Sequence, residues 1–336
     1  MTKSATRVAA DKVTFTQTEV TSAIAAGDTA ARAGRKNLII NGGFDVWQRG
    51  TSLTAASSYL ADRWANGTGE AQSRQAFTVG QTEVDGNPTY YHRSGGGGSA
   101  YYGLDHKIEN VGTLSGKEVT LSYWMKGSSA FTNAPYRGQN FGSGGSSGVE
   151  AALSTSSITT SWARYTHTFT FPSISGKTVG ASSFSQLNVF RANIANIVVD
   201  IANVQLELGS VATDFEHRSY GEELQLCQRY YQVYGGTSYA TIASGFQPNR
   251  TNAKFHLSYM QEMRAVPSIG TANSAELIVT DRTGFDQPLA GFGGHVAGKT
   301  SAYISVTMSA VGTQYAGILL AVKNGTTTTV NLDAEL

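Results

Sequence analysis

Asn37-Leu38-Ile39-Ile40-Asn41-Gly42-Gly43-Phe44-Asp45-Val46-Trp47-Gln48-Arg49-Gly50 carries a four-residue apolar-rich run into a double glycine and out again towards a tryptophan. The run predicts a strand and the glycines a turn, so a folded domain begins here. Further along, 73–79, 119–125, 163–171 and 196–208 are rich in β-branched or aromatic residues and bounded by Gly, Ser, Asn or Pro. Short strands at this spacing predict a two-sheet sandwich.

The period changes over 219–232. Leu224, Cys227 and Tyr231 fall at i, i+3 and i+7, with Glu222 and Glu223 in the first turn and Arg229 near the end. That pattern predicts a short helix at a domain junction, with Cys227 as an inert thiol on its apolar face. Beyond Gly235-Gly236, strands are predicted at 239–243, 253–260, 275–281, 302–309, 316–323 and 326–332, forming a second β-sandwich. Asn324-Gly325 predicts a hairpin between the last two, because both residues tolerate positive φ. The division is an extended arm over 1–36, a sandwich over 37–218 and a C-terminal β domain over 219–336. The arm is too weakly apolar to form a core. It reads either as disordered or as ordering against a partner through Val13, Phe15, Val20 and Ile24, the last two at i,i+4 on a short helix.

A chain of 336 residues with 25 basic and 24 acidic groups, only 15% charged in all, lacks the clustered basic excess that nucleic acid or an anionic membrane surface requires. One cysteine excludes an internal disulfide framework and a cysteine-rich zinc site. Met1-Thr2-Lys3-Ser4 lacks the apolar segment of a secretory signal, and no stretch approaches 18 apolar residues, so the expectation is synthesis in a cytoplasm without membrane insertion. The glycine-rich stretches 94–99 and 142–148 lack the Gly-Lys-Ser/Thr of a phosphate loop and read as surface loops. The six histidines are dispersed, no Gly-x-Ser-x-Gly elbow is present, and the carboxylates fall mostly in turns or near helix ends. Nothing announces the paired carboxylates of a glycosidase. The expectation is a protein that is not an enzyme and carries no cofactor.

What the sequence does offer is loops combining rings with amides and arginine: 87–93, 100–103 and 131–137. Sugars present apolar C–H faces and hydroxyl rims, and tyrosine covers such a face at low entropic cost. Tyr90, Tyr91, Arg93, Tyr101, Tyr102, Asn133, Tyr136 and Arg137 are the predicted glycan contacts, with Tyr136 and Arg137 foremost. The alternative, that half of these rings are cross-strand core pairs, stays open. Trp47, Trp64, Trp124 and Trp162 lie in or beside apolar strands and are read as packing residues.

The stretch 37–50, followed by Ala61-Asp62-Arg63-Trp64, by Ala202-Asn203-Val204-Gln205-Leu206-Glu207-Leu208-Gly209-Ser210 and by Thr213-Asp214-Phe215-Glu216, resembles a family of bacteriophage tail-fibre or receptor-binding proteins with a jelly-roll domain like a carbohydrate-binding module. The resemblance continues through 220–232 and Met263-Arg264-Ala265-Val266-Pro267-Ser268, covering roughly 37–268. It implies a virion appendage, assembled as a homotrimer, whose arm docks on other virion proteins and whose β domains meet host surface glycan. Low charge and exposed strand edges give the trimer a physical motive, with the threefold contact expected near Leu224 and in 235–336. The resemblance also implies a structural calcium at Asp45. Its second ligand position departs from the pattern, with Ala202-Asn203 where an acidic pair is usual and Asp200 displaced, so the metal is not expected. Phe215 is expected to plug the sandwich where its last strand exits. Two other readings stay open: a decoration or linker protein of the virion without a receptor role, and a glycan-cleaving enzyme or its binding module.

Overall fold

The computed structural model describes residues 35–54, 59–67, 71–95, 102–192, 196–281, 286–308 and 317–336. Val13, Phe15, Val20, Ile24 and Tyr101 lie outside them. Within them the chain is all-β with one α-helix. The first unit contributes β1 (Ser52–Thr54), β2 (Trp64–Asn66), β3 (Ala71–Ala76), β4 (Tyr90–Gly95), β5 (Tyr102–Glu109), β6 (Glu118–Gly127), β7 (Phe131–Asn133) and β8 (Tyr136–Asn140). It continues through β9 (Val149–Ala152), β10 (Ser156–Ile158), β11 (Ala163–Thr170), β12 (Phe184–Ala192) and β13 (Val198–Leu208). Helix α1 (Tyr220–Gln228) follows, then β14 (Tyr231–Gly235), β15 (Thr241–Asn249), β16 (Asn252–Ser258), β17 (Ser268–Thr271) and β18 (Leu277–Thr280). The chain closes with β19 (Asp286–Ala297), β20 (Ser301–Met308), β21 (Ile318–Val322) and β22 (Thr329–Asp333).

Two antiparallel layers make the sandwich: a six-stranded sheet in the order β1-β3-β4-β13-β6-β11 and a five-stranded sheet in the order β2-β5-β12-β8-β9. Alternation along a strand sorts side chains between core and surface. On β6, Val119, Leu121, Tyr123 and Met125 are fully buried between the layers, while Trp124 and Lys126 face outward. Trp64, Leu104, Leu187, Phe190 and Ile201 complete the same core. Each such side chain contributes about 1.5–3 kcal/mol on burial.

The apolar run 37–40 does not form a strand. It fills a defect in β13, whose ladder with β6 slips between Ala202 and Gln205, where Asn203 sits at φ 48. The backbone groups freed there are taken up by the quoted stretch. Asn37 Nδ2 donates to Val204 O (3.1 Å), its Oδ1 accepts from Ile39 and Leu206 N–H, and Leu38 N–H donates to Leu206 O (2.9 Å). Val204 N–H donates to Gly42 O (2.9 Å), an approach so close that a Cβ on Gly42 would lie 2.1 Å from Val204 O. Asn41 then binds four backbone groups, at Asp45, Val46 (twice) and Asp62. A buried backbone group must find a partner, and here side chains supply what a ladder would have supplied.

The predicted second sandwich takes the form of a closed barrel, β15-β16-β20-β19-β18-β21, beside a three-stranded sheet, β14-β22-β17. Phe255, Ile304, Val306 and Leu320 are buried at its centre. The predicted hairpin is corrected: Asn324-Gly325 does turn, with Gly325 at φ 74, but β21 pairs with β15 and β18 while β22 pairs with β14 and β17. The turn is a corner between sheets, since each flanking strand finds a more extensive partner elsewhere. Helix α1 is capped by Ser219 and Glu222 in a reciprocal box and ends before Tyr231, which starts β14. Cys227 is buried, and burial pushes its thiol well up from the ordinary value.

The two units are bolted together by charged residues of the 37–64 motifs. Arg49 lies 3.5 Å over the Tyr231 ring and pairs with Asp62, Asp333 and Glu335. Arg63, 1% exposed, lies 3.5 Å over the Tyr230 ring and pairs with Glu335. Arg229 binds Glu109 through two nitrogens, and Glu223 of α1 accepts from Asn41 N–H (2.6 Å). Trp47 and Trp64, by contrast, pack inward as their sequence context predicts.

Candidate functional site

The outer face of the five-stranded sheet carries an ordered set of polar and ring side chains. Cross-strand pairing places Asp105, Asn188 and Tyr136 in one row across β5, β12 and β8, and Lys107, Gln186, Gly138 and Glu150 in the next, which reaches β9. Glu109, Phe184 and Asn140 form a third. Asn188 Nδ2 donates to Asp105 Oδ1 (2.7 Å), and Gln186 Nε2 donates to Tyr136 Oη (3.3 Å). A bulge between Asn188 and Phe190 turns Phe190 into the core and puts Arg191 back on the outer face, its guanidinium 5.4 Å from the Tyr136 ring centroid. Gly138 has no side chain, so its place in the middle row is a gap between Gln186 and Glu150. A cavity of about 350 Å³ lies there, lined by Gly138, Gln139, Asn140, Gly148, Glu150 and Gln186.

The electrostatics of this face follow from partial burial. Burial raises the Asp105 carboxyl above its ordinary range, opposed by hydrogen bonds from Asn188 and Gln186. Burial, then the charges of Asp105 and Glu150, raise the Tyr136 phenol, which stays neutral. Asn188 is 3% exposed and its Oδ1 has no hydrogen-bond partner, leaving an acceptor beside the ring. An aromatic ring ringed by fixed donors and acceptors can hold the face and rim of a sugar.

A larger cleft, about 650 Å³, opens at the rim of the sandwich between the 43–47 turn, β3, the 86–90 loop and the 215–220 segment. Its walls include Asp45, Trp47, Arg74, Tyr90, Asn203, Phe215, His217, Arg218 and Tyr220. Arg74 lies 4.4 Å over the Tyr90 ring. Burial, then the nearby Glu223, pushes the Asp45 carboxyl up to about 6. Gly86, at φ 79, passes so close to His217 that a Cβ would lie 2.5 Å from its Nε2. A second cavity of about 310 Å³ continues past Asn203, Phe215 and His217 to Trp124 and Arg164 on the outer face of the six-stranded sheet. Phe215 is not a plug in the core: it is half-buried, edge-on to His217, and forms the wall shared by both cavities.

The predicted contact residues divide between these places. Tyr136 stands in the sheet-face set, but Arg137, the next residue on the strand, pairs with the core residue Leu187 and so points to the opposite face. Asn133 is fully buried, with its amide bound to Tyr123, Val189 and Arg191, and so holds strands together instead of meeting a ligand. Tyr90 lines the rim cleft. Tyr91 packs against Phe77 and Trp162, and Arg93 binds Asp200 through Nε (2.7 Å) and Nη2 (2.8 Å), so both serve the outer surface of the six-stranded sheet. Tyr102 begins β5. Asp105, Gln186, Asn188 and Glu150 were not predicted; each sits in an ordinary alternating strand, and only pairing across β5, β12, β8 and β9 gathers them. Among the described residues no group of three or more His, Cys, Asp or Glu is placed to hold a metal. Asp200, which the calcium pattern would need near Asp45, is engaged by Arg93 and Lys126.

No protein-family model matches the chain, and no curated protein matches it in sequence. Among solved structures, it is similar to the CBM22-1 and GH10 modules of endo-1,4-β-D-xylanase 10B from Clostridium thermocellum: 14% identity, 44% of this chain, 26% of that chain, TM-score 0.32. It is also similar to the CBM22-1 xylan-binding domain of a Paenibacillus barcinonensis protein, with 12% identity, 48% of this chain, 94% of that one and a TM-score of 0.32. A third is the enzymatically active domain of bacteriophage CBA120 tailspike protein 4, at 12% identity over 52% of this chain and 21% of that chain, TM-score 0.31.

Proposed function

We propose that the protein is a non-enzymatic attachment protein of a bacteriophage particle that holds host surface glycan on the outer face of its five-stranded sheet. The observation that carries the glycan reading is the set on the outer face around Tyr136: a ring, the unpartnered Asn188 Oδ1, the Gln186 amide, the Asp105 and Glu150 carboxylates and, two residues along β8, the cavity at Gly138. The virion placement rests on the sequence blocks of 37–268 and their resemblance to tail-fibre proteins. In this reading residues 1–36 dock on other virion proteins, and the chain works as a homotrimer. Three copies raise the local concentration of each further contact, so weak single sites become firm attachment without catalysis. The barrel is closed, so the edges that favour assembly are those of β1, β2, β9 and β11 in the sandwich and of β14 and β17 in the three-stranded sheet.

The test is binding to polysaccharides extracted from candidate hosts, together with solution mass. Tyr136→Ala should weaken binding about tenfold, the cost of about 1.4 kcal/mol of ring contact, and Gly138→Trp should abolish it by filling the gap. A mass three times the 35.6 kDa of one chain is expected. Absence of glycan binding combined with adhesion of the protein to particles through residues 1–36 would replace this reading by one of virion decoration.

A further inference from the structure

The rim cleft has the features of a ligand site that the sheet face does not share, and it lies beside the other layer of the sandwich. Asn203 is 3% exposed and lines both cavities; its Nδ2 donates to Asp85 O (3.0 Å), while its Oδ1 has no hydrogen-bond partner. A buried, unpaired acceptor is unfavourable, and a donor arriving in the cleft would offset that cost. Asp45 is a second acceptor without a donor among the described residues, because the Asn41 side chain binds the Asp45 backbone N–H and not its carboxylate. The rings of Tyr90, Phe215 and the exposed Tyr220 border the same space.

Charge narrows the occupant. Arg218 lines the cleft but is already committed to Glu223 and to the carbonyls of Asn37 and Ile39. Arg74 contributes a cation stacked on Tyr90 with no carboxylate paired to it among the described residues, and His217 lies opposite on the exit segment. An ammonium ligand would face Arg74 and Arg218, and a carboxylate ligand would face Asp45 with Glu223 behind it. Hydroxyl groups meet neither penalty, and two acceptors beside apolar rings suit a pyranose that offers donors along one edge and C–H groups along its face.

We propose that the rim cleft is a second, independent carbohydrate site, which takes a neutral pyranose by hydroxyl donation to Asp45 and Asn203 Oδ1. Two sites on one chain, one at the rim and one on the opposite layer's outer face, would let a single copy engage two points of a branched or repeating glycan. Hydroxyl donors stabilise the ionised form of Asp45, so ligand and proton compete. The groups that face Asp45 are Glu223 on α1, Arg218 and His217 on the exit segment and Arg74 on β3. The contribution of His217 is controlled by substitution.

The experiment is ligand-observed NMR and calorimetry on the full chain with methyl glycosides of glucose, galactose, mannose and N-acetylglucosamine, at pH 7.5 and pH 5. Binding of one of these probes is expected. It should fall about fivefold or more in Asp45→Asn, survive in Tyr136→Ala, and weaken about tenfold at pH 5 in the wild-type and His217→Gln proteins. Asp45→Asn should lose that pH dependence. If probes bind but respond to Tyr136→Ala and not to Asp45→Asn, the rim site is refuted and the sheet-face reading stands. Binding of none of the four probes, or binding unchanged by both substitutions, refutes the rim site as well. In that case the polysaccharide assay judges the sheet face separately.

Discussion

Replacing Arg63 with methionine tests whether the charged junction, and not apolar packing, holds the two units in register. The guanidinium is 1% exposed, pairs with Glu335 (6% exposed), donates to Lys107 O (2.5 Å) and stacks 3.5 Å over Tyr230. Methionine keeps much of the stem and removes the charge. Taking one partner from a buried pair costs about 3–5 kcal/mol, because the other is left uncompensated. Arg49 still reaches Glu335 at 3.3 Å, which places the expected loss near the lower end, about 3 kcal/mol. At about 2 °C per kcal/mol for a chain of this size, the thermal midpoint should drop by roughly 6 °C. The double variant Arg63→Met with Glu335→Met should recover a large part of that loss, since no buried charge is then orphaned. Denaturant titration followed by tryptophan fluorescence reads both effects. A single-variant cost under about 1 kcal/mol, or a double variant that merely sums two losses, would refute the reasoning.

Acid should unfold the protein through its buried histidines. Burial alone lowers His92 to about 3 and His167 below its ordinary value, and burial with the charge of Arg63 holds His106 well down. A depressed histidine keeps its contribution above the unfolded value of about 6.5 and loses it as the pH falls towards the folded value, at about 1.4 kcal/mol per pH unit per group. Urea midpoints at pH 7 and pH 5 should differ accordingly, and His92→Gln should remove one group's share; equal midpoints would contradict this. Asp45 has the opposite sense. Its folded value of about 6 lies above the ordinary 3.8, so ionisation costs stability as the pH rises from about 4 to 6. Asp45→Asn should therefore be more stable than wild type at pH 7, by at most about 3 kcal/mol, and no gain would show that the carboxylate is solvated. Gly42→Ala should destabilise strongly in a thermal melt, because its Cβ would lie 2.1 Å from Val204 O; a neutral result would mean that the β13 defect relaxes freely.

Some of the fold was legible because alternation and turn chemistry are local. Runs in 73–79, 119–125 and 163–171 correspond to β3, β6 and β11, and Ser219 with Glu222 and Glu223 marks the start of α1. Strands such as β12 and β19 went unread: Gln186 and Asn188 interrupt one, and three glycines thin the other, so neither shows an apolar period. The site was legible as a type of loop and not as a place. Tyr136 was singled out for its place beside a proline and starts β8; Arg137 alternates with it onto the opposite face, and Asn133 ends the separate short strand β7 with its side chain buried.

By itself, the sequence determined that the chain is all-β, that a helix divides two β units, that no cysteine framework holds it, and that its motifs cluster around 37–64 and 202–216. Those properties follow from composition and from spacing along the chain. Only tertiary structure decided what the motifs do: Asn37, Asn41 and Gly42 repair the break in β13, and Arg49 and Arg63 bind the far end of the chain. It also gathered Asp105, Tyr136, Glu150, Gln186 and Asn188 from four strands. Hydrogen-bond partners, burial and cross-strand neighbours are set by residues tens to hundreds of positions apart, and periodicity along the chain carries no record of them.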